Sequence, residues 1–188
     1  MKRELRSPVS SGPRAKPAAA LQHEILRQPN LTAKNPNKSS IDGVLITELR
    51  KICDDRGRVM HIVKAAEGGT VALGEVYCST VYPGVIKGWH IHDRMTLNYV
   101  VLKGMIKFVC YDDREGSDTR GAIQEIVMGD HNYVRVTVPP RVWNGFMGLG
   151  TDEALVVNLT DIPHDPNEIH RCDPHTSPIP YQWAVSDR

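Results

Sequence analysis

Two histidines separated by one residue are the clearest candidates for chemistry in this sequence. They lie in the segment Gly88–Trp89–His90–Ile91–His92. Side chains at positions i and i+2 of a strand point to the same face, so His90 and His92 are expected side by side. Inside a small barrel, two imidazoles could hold a metal ion or transfer protons; on an outer face they would be solvated surface histidines.

A metal site needs further ligands, and the sequence lacks two of them. The cupin metal pattern follows H-x-H with a glutamate four or five residues later and then with P-x-G-x-x-H. The glutamate position here holds Leu97 or Asn98, and the third histidine position holds Asn144. Neither leucine nor an amide is a good ligand for a first-row divalent ion. We therefore predict neither a metal nor another cofactor.

The elements that must position these residues are strands. From Ile41 onward, short runs rich in Val, Ile and Tyr alternate with Gly, Pro and Asp clusters, a pattern that predicts an all-β sandwich or barrel. In the run from 105 to 111, Ile106, Phe108 and Cys110 share one face. The predicted strands are Gly43–Lys51, Arg58–Lys64, Ala72–Val81, Val85–His92, Leu97–Lys103, Met105–Tyr111, Ala122–Met128, Tyr133–Val138, Val142–Leu149 and Ala154–Leu159.

The last thirty residues change character. Five prolines between Ile162 and Trp183 exclude central strands and predict an extended segment packed across the barrel. Trp183 is its expected apolar anchor.

Composition indicates one globular domain with a tail. The chain has 188 residues, a net charge of +1 and 40% hydrophobic residues. Residues 1–40 carry a net charge of +6 and the remainder −5, so we predict a flexible basic N-terminal extension before a domain over 41–188. Neither a nucleic-acid binder nor a membrane span is predicted. Four cysteines without a CxxC pair, and no signal-peptide core, favour a reducing, cytoplasmic location.

Five segments in order carry a family resemblance. They are Asp54–Asp55–Arg56–Gly57, Gly84–His90, Asp112–Gly121, Val138–Phe146, and the closing Asp173–Pro174 with Ile179–Trp183. Through them, residues 41–183 resemble the dTDP-4-dehydrorhamnose 3,5-epimerase family. The resemblance implies a cupin-type β-barrel or jelly roll, a homodimer, no metal, and epimerisation of a nucleotide-linked 4-keto-6-deoxyhexose.

The same resemblance assigns catalytic roles. In such a sugar, C3 and C5 are both alpha to the C4 carbonyl, so a base can remove either proton to leave an enolate. His90 matches the family's base, and Asp173 matches the carboxylate that orients it, although an Asp-Pro turn explains Asp173 equally well.

Three departures from the family pattern affect the reaction. The family's acid, a tyrosine, falls on Asn158; its lysine near the C4 oxygen falls on Leu97; a histidine falls on Asn144. An amide cannot deliver a proton as a phenol does. The residues that could replace the missing acid are His92, Tyr99 and Tyr133. We therefore favour epimerisation at one carbon, or a related keto-sugar isomerisation, over the full 3,5-reaction.

The resemblance also indicates binding residues and leaves two alternatives open. Arg56 and Lys87 match positions facing the nucleotide diphosphate, and Glu75 matches a ligand-contacting glutamine. The remaining substrate-binding candidates are His92, Asn144 and Asn158. One alternative is a metal-dependent cupin enzyme. The other, favoured by Asn158 and Leu97, is a barrel that binds a sugar nucleotide without turnover.

Overall fold

The computed structural model describes residues 38–64 and 72–185, and this part of the chain contains twelve strands and no α-helix. Accordingly, none of its elements is a helix able to cross a membrane. The strands are β1 (Leu45–Glu48), β2 (Lys51–Asp54), β3 (Gly57–Met60), β4 (Glu75–Val81), β5 (Ile86–His92), β6 (Leu97–Lys103), β7 (Met105–Tyr111), β8 (Ile123–Gly129), β9 (Val134–Val138), β10 (Trp143–Leu149), β11 (Ala154–Thr160) and β12 (Ile169–Arg171).

Two five-stranded antiparallel sheets enclose the core. We call the sheet with strand order β1-β9-β6-β11-β4 the first sheet and that with order β12-β5-β10-β7-β8 the second sheet; β2 and β3 form a separate hairpin. Alternate side chains of both sheets point inward and are fully buried, as Val136 and Phe108 illustrate. The predicted all-β class is therefore confirmed.

The predicted strands differ from the observed ones mainly near the N-terminal side. The predicted strand Gly43–Lys51 is wrong as a single element, because the chain leaves β9 after Glu48 and begins the β2–β3 hairpin at Lys51. Leu49 ends that contact by donating its amide to the carbonyl of Tyr133. The predicted extension, residues 1–40, lies outside the described residues except for 38–40 and stays a prediction.

The C-terminal segment covers the outer face of the second sheet. The short strand β12 was not predicted from sequence; it pairs with β5 at the edge of the sheet. At an edge, the prolines near β12 do not remove hydrogen bonds between paired strands. Beyond it, the Trp183 ring lies 5.0 Å from that of Trp89, and Tyr181 packs edge-on against both. The expected anchoring by Trp183 is thus observed.

A buried carboxylate organises the loop between β7 and β8. Asp112 is fully buried and accepts hydrogen bonds from the Arg114 guanidinium and from the hydroxyls of Ser117 and Thr119, at 2.7–2.9 Å. The Arg114 side chain is the main cause of a pKa for Asp112 far below the ordinary carboxyl value. Ser117 and Thr119 therefore act in the turn.

Replacing this carboxylate should destabilise the barrel in a pH-dependent way. Asp112→Asn should lower the free energy of unfolding by about 3 kcal/mol at neutral pH, because Arg114 loses its buried partner. The deficit should shrink as pH falls below 3.8, the ordinary value for this carboxyl, since the wild-type contribution then disappears. Urea denaturation measures both effects. Exposed Asp118→Asn is the matched control, and equal stability of the two variants would contradict the prediction.

Candidate active site

A cavity of about 390 Å³ opens between the two sheets where the core ends. Its size falls in the range typical of small-molecule sites. Met95, Phe146, Val156 and Ile169 provide its apolar wall. Its polar lining consists of Glu75, Tyr77, Ser79, Lys87, His90, His92, Tyr99, Asn158, His164 and Arg171.

An irregular pairing of β5 with β10 allows residues at both odd and even positions of β5 to face the cavity. His90 and Lys87 are three residues apart, and regular alternation would place them on opposite faces. In the pairing with β10, however, His90 is opposite Asn144 and Lys87 is opposite Phe146, so three steps on β5 match two on β10. This bulge-like shift allows His90 and Lys87 to share the cavity.

His90 lies in the cavity as a half-buried imidazole bonded to a buried phenol. Its Nε2 is 3.1 Å from the hydroxyl oxygen of Tyr99. Burial, with the nearby charges of His92 and Arg171, lowers the pKa of His90 to about 3. Burial, together with the neighbouring Tyr77, raises the pKa of Tyr99 well above its usual value. Both groups are neutral at pH 7, so the hydroxyl can donate to the ring nitrogen.

His92 forms a second, wholly buried pair. Its Nδ1 is 2.6 Å from Oε2 of Glu168, whose other oxygen accepts the backbone amides of Arg94 and Met95, each at 2.7 Å. Burial raises the pKa of Glu168, but the bonds from His92 and the two amides outweigh it and hold that pKa below the ordinary value. A carboxylate thus orients an imidazole here, at a residue that the sequence did not indicate.

On the first sheet, an asparagine faces a tyrosine. Asn158 is opposite Tyr77 in the pairing of β11 with β4, and its Nδ2 donates to the Tyr77 hydroxyl oxygen at 2.9 Å. Tyr77 was not predicted as a site residue, although it follows the predicted Glu75 by two residues and so lies on the same face of the strand. That spacing was the signal that could have found it.

Cationic and acidic side chains lie at the cavity wall. Lys87 donates to the Ser79 hydroxyl at 2.8 Å. Arg171, also missed from sequence, is the cross-strand neighbour of His90 and lines the same cavity. Glu75 accepts the backbone amide of His164 at 2.8 Å. Predicted binding residues Lys87, Glu75, His92 and Asn158 therefore share one cavity.

Two other predicted residues are placed elsewhere. Arg56 is an exposed residue of the β2–β3 turn, paired with Asp54 at 2.6 Å, and does not line the cavity. Asn144 is fully buried, does not line the cavity, and donates to the carbonyls of His90 and Val142. Substrate-binding roles for Arg56 and Asn144 stay predictions.

Asp173 is not hydrogen-bonded to His90 in the described structure. Its carboxylate is exposed and accepts the backbone amides of His175 and Thr176, which lower its pKa. This is the geometry of the Asp-Pro turn that the sequence left open. Asp173 does border a shallow groove to which His90 also contributes. Its orienting role stays a prediction, and Tyr99 is the group that contacts the His90 ring.

Of the candidate replacements for the missing acid, Tyr133 is excluded by position. Its hydroxyl donates to the carbonyl of His61 at 2.9 Å, away from the cavity. Tyr99 and His92 both line the cavity, while Leu97 is buried in the core.

The donor set for a metal ion is also sparse. Across residues 38–64 and 72–185, no three His, Cys, Asp or Glu side chains are grouped so that they could hold one. His92 already directs Nδ1 to Glu168, and the two imidazole centroids are 6.0 Å apart with their planes nearly perpendicular.

Comparison with known proteins identifies the family. Residues 38–188 match the family model described as dTDP-4-dehydrorhamnose 3,5-epimerase, and the chain therefore belongs to this family of isomerases. The resemblance inferred from sequence is confirmed.

Relatives cover most of the chain. It is 33% identical over 144 residues to the probable low-salt glycan biosynthesis epimerase Agl13 of Haloferax volcanii. This match covers 76% of this chain and 89% of that protein. It is 32% identical over 128 residues to the spore coat polysaccharide biosynthesis protein SpsL of Bacillus subtilis, spanning 68% and 85%. A crystal structure of a dTDP sugar isomerase from Desulfovibrio desulfuricans superposes with a TM-score of 0.75 at 38% identity, covering 78% of this chain and 94% of that one.

The charge of Arg171 should be measurable at His90. Arg171→Gln should raise the pKa of His90 from about 3, because a cation that opposes protonation is removed. NMR titration of ¹⁵N-histidine-labelled protein measures this shift. The exposed Arg120→Gln provides a control outside the cavity. An unchanged His90 titration in Arg171→Gln would show that the two groups are not coupled.

Proposed function

We propose that this protein epimerises a nucleotide-linked 4-keto-6-deoxyhexose, with His90 as the base that removes a proton alpha to the C4 ketone. The observation that carries the proposal is a neutral imidazole inside a cavity, aimed by a phenol that retains its proton. Family membership supplies the reaction class. At neutral pH this imidazole carries no extra proton, so its ring nitrogen is available to accept one.

The chemical step follows from this geometry. The C–H bond beside the ketone breaks, its proton moves to Nε2 of His90, and its electron pair forms the enolate. In the resting site Tyr99 donates to the Nε2 lone pair, and its hydroxyl must turn away before that lone pair takes the substrate proton. The imidazolium N–H can then donate to the Tyr99 oxygen across the same 3.1 Å contact. The contact thereby stabilises the charged ring inside a buried wall. Asp173, as the resemblance implies, would add a carboxylate from the adjoining groove.

Cations of the cavity wall support recognition of an anionic substrate. Lys87 and Arg171 flank His90, and within the described residues neither forms an ion pair. A nucleotide diphosphate carries the matching negative charge, and the guanidinium of Arg171 can bind phosphate oxygens through two parallel hydrogen bonds. In this proposal Glu75, His92 and Asn158 contact the sugar, and reaction at one carbon remains the favoured outcome.

The proposal includes a metal-independent reaction by a cytoplasmic homodimer. Metal independence is supported by the absent glutamate and third histidine in the sequence and by the engagement of His92 with Glu168. The four free cysteines fit a reducing compartment. Dimerisation follows from the family resemblance alone.

Solvent exchange tests the role of His90. In D₂O, wild-type protein with dTDP-4-keto-6-deoxyglucose should incorporate deuterium beside the ketone, at C3 or C5, and NMR identifies the carbon. His90→Asn should slow incorporation by at least about 10²-fold, because the base is lost. Exposed His131→Asn serves as the control. Binding without exchange by the wild type, for this and other 4-keto sugar nucleotides, would instead support the non-catalytic barrel.

Metal removal separates this proposal from a metal-dependent cupin enzyme. Dialysis against EDTA should leave the exchange rate unchanged, because the proton acceptor is a side chain. Elemental analysis of the same sample records the residual metal content. Loss of exchange that a divalent ion restores would establish the metal-dependent alternative.

A further inference from the structure

Inversion at carbon sets a geometric requirement that His90 alone cannot meet. A proton removed from one face of the enolate must be replaced from the other face, so an acid is needed on the opposite wall. His90 projects from β5 in the second sheet, and the opposite wall of the cavity belongs to β4, β6 and β11 of the first sheet. The side chains that can supply that proton therefore lie on those three strands, apart from the exposed His164 in the loop after β11.

The polar groups of that wall differ in what they can give. Tyr99 is 3% exposed and already bonded to His90. The Ser79 hydroxyl accepts from Lys87, and an aliphatic alcohol is a far weaker acid than a phenol. Oε2 of Glu75 is engaged in accepting the backbone amide of His164. Tyr77 is 41% exposed and lines the cavity. It accepts its hydrogen bond from Asn158, so its own hydroxyl proton is not used in that contact.

We propose that Tyr77 is a second catalytic residue, the general acid that returns a proton to the enolate face opposite His90, and that Asn158 positions it. This proposal rests on the proposed function, because it assigns the second proton transfer of the same reaction. It places the acid on β4, one strand away from the family position on β11 that Asn158 occupies.

The direction of the Asn158–Tyr77 hydrogen bond follows from a third residue. Asn158 is 1% exposed, and its Oδ1 accepts the backbone amide of Asn98 at 3.0 Å. A backbone amide can only donate, so this contact fixes the side-chain oxygen toward Asn98 and turns Nδ2 toward Tyr77. Tyr77 accepts from Asn158, so its own O–H is not used in that contact and is directed to the cavity side, where the Tyr99 hydroxyl is its other polar neighbour.

This arrangement favours the required step. The electron pair of the enolate carbon–carbon double bond takes the Tyr77 proton, a new C–H bond forms, and the ketone is restored. The O–H bonding pair stays on the phenolate, where the Asn158 donor at 2.9 Å stabilises the developing charge. Solvent then reprotonates Tyr77, which is partly exposed, and His90 releases the proton that it took.

The experiment separates proton removal from inversion. Tyr77→Phe should reduce inverted product by at least about 10²-fold, as expected for loss of a general acid. His90 should still remove the alpha proton and return deuterium to the same face in D₂O. Recovered substrate should therefore carry label with its original configuration, which NMR and mass spectrometry detect together.

Two further variants make the result specific. Tyr82→Phe removes a phenol that is 66% exposed and lies outside the cavity, and it should behave as wild type. Asn158→Asp keeps the oxygen that accepts from Asn98 but removes the donor to Tyr77. It should lower the ratio of inversion to exchange and alter the pH dependence of that ratio, whereas a merely structural defect would lower both rates together. Thermal unfolding monitors the folding of each variant.

The outcomes distinguish the two proposals. Two results for Tyr77→Phe would overturn the role of Tyr77 while leaving His90 as the base. One is formation of inverted product at the wild-type rate. The other is loss of both exchange and inversion while the variant remains folded. Failure of the wild type to exchange would overturn the proposed function itself. Label with retained configuration in Tyr77→Phe, and inverted product from the Tyr82→Phe control, would support both.

Discussion

The alternation of side chains along strands that face each other is the constraint on which the site depends. On β11, inward positions pass from the buried Val156 to Asn158; on β6 they pass from Val101 to Tyr99. Each strand therefore supplies both core packing and cavity wall. Because the same rigid elements do both, the polar groups are fixed by the packing of the apolar ones, which is the preorganisation that proton transfer needs.

Burial of these polar groups has a direct electrostatic consequence. A charged imidazole loses hydration beside a packed core, so His90 is held neutral, and Tyr99 keeps its proton for the same reason. Nearby positive charge from Arg171 acts in the same direction on His90. The site thus holds an unprotonated base, His90, beside a protonated phenol, Tyr99, at neutral pH. A substrate that brings negative charge would oppose the effect of Arg171 and make proton acceptance by His90 easier.

Local patterns predicted much of the barrel and part of the site. Leu97–Lys103 and Met105–Tyr111 are strands with the predicted bounds, because turn residues and period-2 alternation define them locally. His90 and His92 also share the cavity, as their spacing indicates. Partners distant in sequence were missed: Tyr77 meets Asn158 across 81 residues, and Glu168 meets His92 across 76. Such contacts depend on strand order and register, which a single sequence does not specify.

The pairing of His92 with Glu168 shows how one distant contact shapes the others. A buried ion pair or charged hydrogen bond stabilises a fold only when its remaining polar atoms are satisfied. Glu168 meets that condition because its other oxygen accepts the backbone amides of Arg94 and Met95. Glu168 immediately precedes β12, so anchoring it beside the end of β5 sets the register in which Ile169 faces His92 and Arg171 faces His90. A shift of one residue would turn Arg171 out of the cavity. The buried carboxylate therefore acts on the chemistry at a distance, because it determines which cation lies beside the base.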